Sequence, residues 1–308
     1  MSIDLLIDRI REKKNPTVAG LDPTLSYLPP GMLERHIAEH GETLKAAAEA
    51  LYEFNRGLID ALAPIVPAVK LQSAFYEAFG PEGVYVLQRS AAYAREQGLY
   101  VMIDCKRGDI STVAEAYAAA YFGGVTVGSA YIEPFGADCI TINGYMGSDA
   151  LTPFLKYCES ADKAVFVLAK TSNPSAKELQ NLLAGDRPVY KVIADHVDRL
   201  TGRALVGRYG YAQAGLVVGA TQPAQLRELR DQYPRLFFLV PGYGAQGGSA
   251  RDIVHAFDKL GRGAVVNASR SMMCAWQKTG KDGADYAEAA RDEAVAMRDT
   301  LKTYVTIA

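Results

Sequence analysis

The densest cluster of residues able to do chemistry is Asp104-Cys105-Lys106-Arg107-Gly108-Asp109-Ile110, which ends the apolar run YVMIDCK. In an extended strand, residues two apart share a face, so Asp104 and Lys106 point one way and Cys105 the other. If that face looks into a site with little water, a carboxylate and an ammonium lie side by side. Lys70, in the run AVKLQ, would complete an alternating Lys–Asp–Lys array. Such an array serves either as a charged catalytic centre or as an ion-pair network closing a scaffold. The D-x-K-x-x-D pattern alone could also supply carboxylates to a magnesium ion.

Two further segments carry chemistry. Pro241-Gly-Tyr-Gly-Ala-Gln246-Gly-Gly248 contains G-x-G-x-x-G directly after an apolar run. A dinucleotide site would require an acidic residue about 20 positions on, but the next run ends in Asn267-Ala268-Ser269-Arg270. Phosphate binding fits better: glycines admit close backbone approach, a helix from about Ser249 offers N–H groups, and Arg270 is a bidentate donor. Thr171-Ser172-Asn173-Pro174 is a turn bearing hydroxyls and an amide.

The elements that must position these residues follow from periodicity. Eight short apolar or β-branched runs read as strands: Thr17–Asp22, Ala68–Gln72, Tyr100–Lys106, Asp138–Asn143, Ala164–Lys170, Ala214–Thr221, Leu236–Gly242 and Gly263–Ser269. Helical patterns separate them, among them ETLKAAAEALYEFNRGLIDALA and PAQLRELRDQY. Eight such units over 308 residues predict an α/β chain folded as one (β/α)8 TIM barrel spanning 1–308, with extra helical insertions. The excess lies at about 31–63, 123–137 and 171–213, and a last helix near Gly283–Thr303 closes the ring. Barrel chemistry belongs at the C-terminal strand ends. Those ends read Asp22, Lys70, Asp104, Lys106 and Asp109, then Asn143, Lys170, Thr171 and Ser172, and last Gln246, Ser269 and Arg270.

Composition excludes several classes. With 33 Lys plus Arg against 35 Asp plus Glu, the formal charge of -2 gives no bulk attraction to nucleic acid or an anionic membrane. No apolar run reaches the roughly 20 residues a membrane span needs, and MSIDLLIDRIREKKNP lacks a signal-peptide core, so a cytoplasmic chain is expected. Cys105, Cys139, Cys158 and Cys274 show no metal-ligand spacing and read as buried thiols. His36 and His40 stand at i, i+4, but among Glu34, Arg35, Glu39 and Glu42 they read as a solvated helix surface, and no metal site is expected.

Seven segments, in order, resemble the orotidine 5'-monophosphate decarboxylase family, most of all its longer (type 2) bacterial subgroup. They are GLDPT (20–24), VKLQSAFYE (69–77), IDCKRGDI (103–110), ADCITINGYMG (137–147), LAKTSNPSA (168–176), PGYGAQGG (241–248) and VVNASR (265–270). The resemblance implies a cofactor-free, metal-free lyase of UMP biosynthesis acting on orotidine 5'-monophosphate. It implies that Asp22 holds the ribose hydroxyls and that Lys70, Asp104, Lys106 and Asp109 form the charged tetrad, with Lys106 donating the proton to C6. Asp109 and Ile110 would reach the partner's site in a homodimer, with Thr112 a further substrate contact. Ser172 would bond the pyrimidine edge, and Gln246 and Arg270 would bind the 5'-phosphate. Thr112 stands two residues after Ile110 where the family has three, and Gly144 replaces a proline. Three rivals follow from the residues: a magnesium-dependent sugar-phosphate aldolase or decarboxylase, a catalytically silent nucleotide-binding barrel, and a Schiff-base lysine enzyme.

Overall fold

The computed structural model describes residues 1–244 and 247–307. Each of the eight apolar runs forms a strand: β1 Thr17–Leu21, β2 Ala68–Gln72, β3 Tyr100–Arg107, β4 Cys139–Ile142, β5 Ala164–Lys170, β6 Ala214–Val218, β7 Phe238–Val240 and β8 Ala264–Ala268. All pair in parallel, in the order β1-β8-β7-β6-β5-β4-β3-β2, and the sheet closes on itself as a barrel. Most strands end one to three residues before their apolar or polar run does. Asp22, Asn143 and Ser269 therefore lie just past the hydrogen-bonded ladder, on the loops of the barrel mouth.

Alternation along the strands builds two cores. Outward residues such as Val69, Leu71, Val101, Ile103 and Ile140 pack under the helices. Inward residues nearer the strand starts, including Val18, Ala68, Tyr100, Met102 and Phe166, fill the barrel interior. Helix α1 (Ser2–Lys13) completes that inner core with Ile3, Leu6, Ile7 and Ile10, spaced to form one helical stripe. The Ser2 hydroxyl meets the Tyr100 hydroxyl at 2.7 Å and the Ile3 amide donates to Gln213 at 2.9 Å, so α1 plugs the end of the barrel opposite the charged one.

The region at 31–63 folds as α2 (Met32–His40) and α3 (Leu44–Leu62). The Thr43 hydroxyl caps α3 by accepting from the Ala46 amide, and Leu51, Phe54, Leu58 and Leu62 bury its inner face. At 123–137 the extra residues form an exposed antiparallel hairpin, Val125–Val127 with Ala130–Ile132, rather than a helix. At 171–213 they form the helix Ala176–Gln180, a small hairpin at 183–188 and the helix Val189–Thr201. The last helix, Tyr286–Lys302, packs Tyr286 against Phe54 of α3, ring centroids 5.1 Å apart. Among the described residues, no helix is long and apolar enough to cross a membrane.

Candidate active site

At the C-terminal mouth of the barrel lies a cleft of about 610 Å³, lined by residues of every barrel strand or the loop that follows it. Asp22, Lys70, Asp104, Lys106, Ser172 and Arg270 all border it. They arrive there because inward positions two apart step up each strand, from apolar residues below to charged ones above. β2 steps from Ala68 to Lys70 to Gln72, and β3 from Tyr100 and Met102 to Asp104.

Closure of the barrel makes these separate positions one chain of charges. The Lys70 ammonium, only 3% exposed, lies 3.0 Å from Asp104 Oδ2 and 3.6 Å from Asp22 Oδ1. Lys106 Nζ reaches Asp104 Oδ1 at 2.6 Å. The order is thus Asp22–Lys70–Asp104–Lys106, each charge beside its opposite. Burial works against ionising Asp104, but the Lys70 and Lys106 ammonium groups outweigh it and hold the carboxyl well below the usual range. Burial likewise opposes charging Lys70, and the Asp104 and Asp22 carboxylates reverse that and raise its pKa.

Two residues in this array escaped sequence reasoning. Thr141 donates to Asp104 Oδ1 at 2.7 Å and accepts from the Lys106 backbone N–H at 2.9 Å, while Gln72 donates to Asp104 Oδ2 at 3.0 Å. A polar threonine inside the apolar run CITI, and a glutamine two positions after Lys70, were the available signals. Asn143, the rim residue expected from that run, instead turns its side chain to the Tyr145 amide.

The geometry around Lys106 is not that of a regular strand. Ile103 pairs with Ile140, but Arg107 pairs with Ile142, so β3 carries two extra residues against β4. Lys106 has φ 47°, a left-handed conformation that costs a non-glycine residue about 1–3 kcal/mol. The bulge turns the Lys106 amide onto Thr141 and sets its ammonium over Asp104.

Neighbouring loops are held just as specifically. Gly20 lets β1 approach the loop after β8, since a Cβ there would lie 1.8 Å from Ser269 Oγ. Tyr76 donates to the Leu21 carbonyl at 3.0 Å and is itself held by Asn55 of α3, fixing the backbone next to Asp22. The Ser172 loop is braced by the helix after it. The Gln180 carboxamide accepts from the Thr171 amide at 3.0 Å and donates to the Thr171 hydroxyl at 2.7 Å. Asn181 accepts from the buried Lys170 ammonium at 2.7 Å. On the other side, Thr221 donates to the Ser172 carbonyl, and the absence of a side chain on Gly219 makes room for Ser172. Lys170 does not border the cleft.

Other sequence-singled residues fall elsewhere. Asp109 is half-buried and accepts from the Ile110 amide at 2.8 Å; Ile110 is 52% exposed and Thr112 is exposed at the start of the helix Ser111–Phe122. None of the three borders this chain's own cleft. Gln246 lies outside the described residues. Gly242 and Tyr243 border the cleft, and Gly242, Gly244 and Gly247 all have φ between 70° and 95°. The helix expected to offer N–H groups from Ser249 is a single turn, Ala250–Ile253, already closed by a capping box between Ser249 and Asp252. That turn does not border the cleft, whereas Gly242, Tyr243 and Arg270 do.

A parallel barrel with a buried carboxylate clamped between two ammonium groups in a cleft at its mouth has the architecture of a (β/α)8-barrel enzyme. The comparisons with known proteins narrow this. Residues 53–278 match the Orotidine 5'-phosphate decarboxylase / HUMPS family. The chain is 38% identical over 303 residues to an orotidine 5'-phosphate decarboxylase of Clostridium perfringens, covering 98% of both chains. It is 38% identical over 306 residues to that of Petrotoga mobilis, covering 98% of this chain and 99% of the other. The solved Leishmania donovani OMP decarboxylase superposes with a TM-score of 0.71 at 33% identity, over 97% of this chain and 99% of that one. The chain belongs to the orotidine 5'-phosphate decarboxylase family.

Proposed function

We propose that this chain, acting as one barrel domain over 1–308, converts orotidine 5'-monophosphate to UMP and CO2, the last step of de novo UMP synthesis. The observation that carries the reading is the Asp22–Lys70–Asp104–Lys106 array at the mouth of a cleft also bordered by Ser172 and Arg270. Breaking the C6–carboxylate bond leaves its electron pair on C6, in an orbital the pyrimidine ring cannot delocalise. Fixed ammonium groups in a site of restricted water stabilise such a charge without having to reorganise. Lys106 Nζ then delivers its proton to C6, and UMP leaves. Asp104 holds both ammonium groups in place and would lie near the departing carboxylate. Arg270, with Gln246, takes the 5'-phosphate, whose binding energy orients the ring far from the grip itself. Asp22 takes the ribose hydroxyls and Ser172 the pyrimidine edge.

Asp104 also speaks against the magnesium-dependent alternative. Its two oxygens accept from Lys106 and Thr141 on one side and from Lys70 and Gln72 on the other. Neither oxygen of Asp104 is left poorly satisfied for a divalent ion. The same contacts keep Lys70 charged, which disfavours Schiff-base chemistry. We assign Asp109, Ile110 and Thr112 to the site of a second subunit in a homodimer. Their exclusion from their own cleft and the exposure of Ile110 support this. The four buried free thiols suit a reducing, cytoplasmic setting.

The test is the ultraviolet loss of orotidine 5'-monophosphate in EDTA, with Lys106→Ala alongside. Turnover that survives chelation and disappears in the variant is expected. A folded wild type without turnover overturns the reading.

A further inference from the structure

Helix α2 carries a second constellation that the decarboxylase reading does not use. His36, Glu39 and His40 stand at i, i+3 and i+4, on one face of the helix. One ligand atom from each lies within 4.8 Å of those of the other two, and the two imidazoles stack with centroids 6.4 Å apart. None of the three borders the active-site cleft.

The orientation of the His36 ring follows from its neighbour. Its Nε2 lies 2.8 Å from Oε2 of Glu53, which projects from α3. An ionised carboxylate only accepts, so Nε2 turns its hydrogen to Glu53 and the other ring nitrogen, Nδ1, is left to the far side of the ring. That Nδ1 is buried and has no hydrogen-bond partner. A buried ring nitrogen without a partner calls for an occupant. Glu53 is itself anchored by the Arg35 guanidinium at 2.6 Å, so the ring orientation is fixed from behind. A carboxylate hydrogen-bonded to one ring nitrogen of a histidine is the support usual at zinc sites.

We propose that His36, Glu39 and His40 bind one divalent transition-metal ion of the zinc class, with Glu53 orienting His36. Two imidazoles and a carboxylate suit zinc or cobalt(II), and water completes a four-coordinate shell. α2 buries only Met32, and the Arg35 and His36 contacts with Glu53 already join it to α3. An ion held by His36 would add to that link.

The probes are cobalt(II), read by its visible absorption, and zinc(II), read by calorimetry. Both are titrated into untagged full-length protein stripped with chelator. One equivalent of saturable binding is expected, together with a rise in Tm. His40→Ala should abolish it, and Glu53→Gln, which leaves all three ligands in place, should weaken it about tenfold. Decarboxylation by the His40→Ala protein should equal that of wild type, which reports folding and keeps this question separate from the first. No stoichiometric binding by the folded wild type overturns the proposal. So does binding that persists unchanged in His40→Ala, which would place the ion elsewhere.

Discussion

Replacing Thr141 with valine keeps the shape of the side chain but exchanges its hydroxyl for a methyl. Two bonds then disappear: the one donated to Asp104 Oδ1 at 2.7 Å and the one accepted from the Lys106 amide at 2.9 Å. A hydrogen bond to a charged group contributes about 1.5–3 kcal/mol, and a buried amide left unpaired costs a comparable amount. Lys106 already holds a strained φ of 47°, so the lost amide bond should let its backbone relax and draw the ammonium away from Asp104. If the loss falls on the transition state, about 1.5–3 kcal/mol corresponds to roughly a ten- to hundredfold lower kcat. The assay is steady-state loss of orotidine 5'-monophosphate, with denaturant unfolding alongside to confirm the fold. KM should change less than about threefold, because the hydroxyl acts through Lys106. Thr141→Ser retains the oxygen and should recover most of the activity. A folded Thr141→Val protein with wild-type kcat would refute the reasoning, and a rise in KM alone would make Thr141 a substrate contact instead.

Two further outcomes follow. Gln180→Ala should lower kcat/KM in wild type yet change little in a Ser172→Ala background, because it acts by holding the Thr171–Ser172 turn. Purely additive losses in that double-mutant cycle would show that the brace does not work through Ser172. The acid–base behaviour of the array has a defined sign. Asp104 is depressed, so its contribution to stability is complete above about pH 3.9 and is lost as pH falls through its lower folded value. Lys70 is raised, so its contribution is complete below about pH 10.4 and is lost only as pH rises through its higher folded value. Unfolding free energies of wild type and of a Lys70→Met, Asp104→Leu double variant should therefore differ by a constant between about pH 5 and 9. A difference that slopes across that window would contradict the assignment.

Much of this protein was legible in its sequence because its signals are local. Eight buried parallel strands announce themselves as eight apolar runs, and charged residues ending such runs are conspicuous because burial elsewhere in them excludes charge. The spacing of Asp104 and Lys106 already placed both on one face. The insertions were visible as surplus length, but the one at 123–137 did not reveal itself as a hairpin.

The tertiary structure decided what depends on contacts between distant parts of the chain. Closure of the barrel brings β1 beside β2, so that Asp22 meets Lys70 although they stand 48 positions apart in the sequence. The two-residue bulge of β3 arises from its register against β4, and register is a property of the pair. That register gives Thr141 its place between Asp104 and the Lys106 amide, an interaction no pattern within either strand encodes. The same holds for α2, where the sequence shows two histidines on a charged helix. Only the packing of α3 brings Glu53 to one of them and leaves the other nitrogen of that ring buried and unpaired. Residue types and their alternation are written along the chain, whereas the partners of a buried polar group are set by the strand or helix that packs across from it.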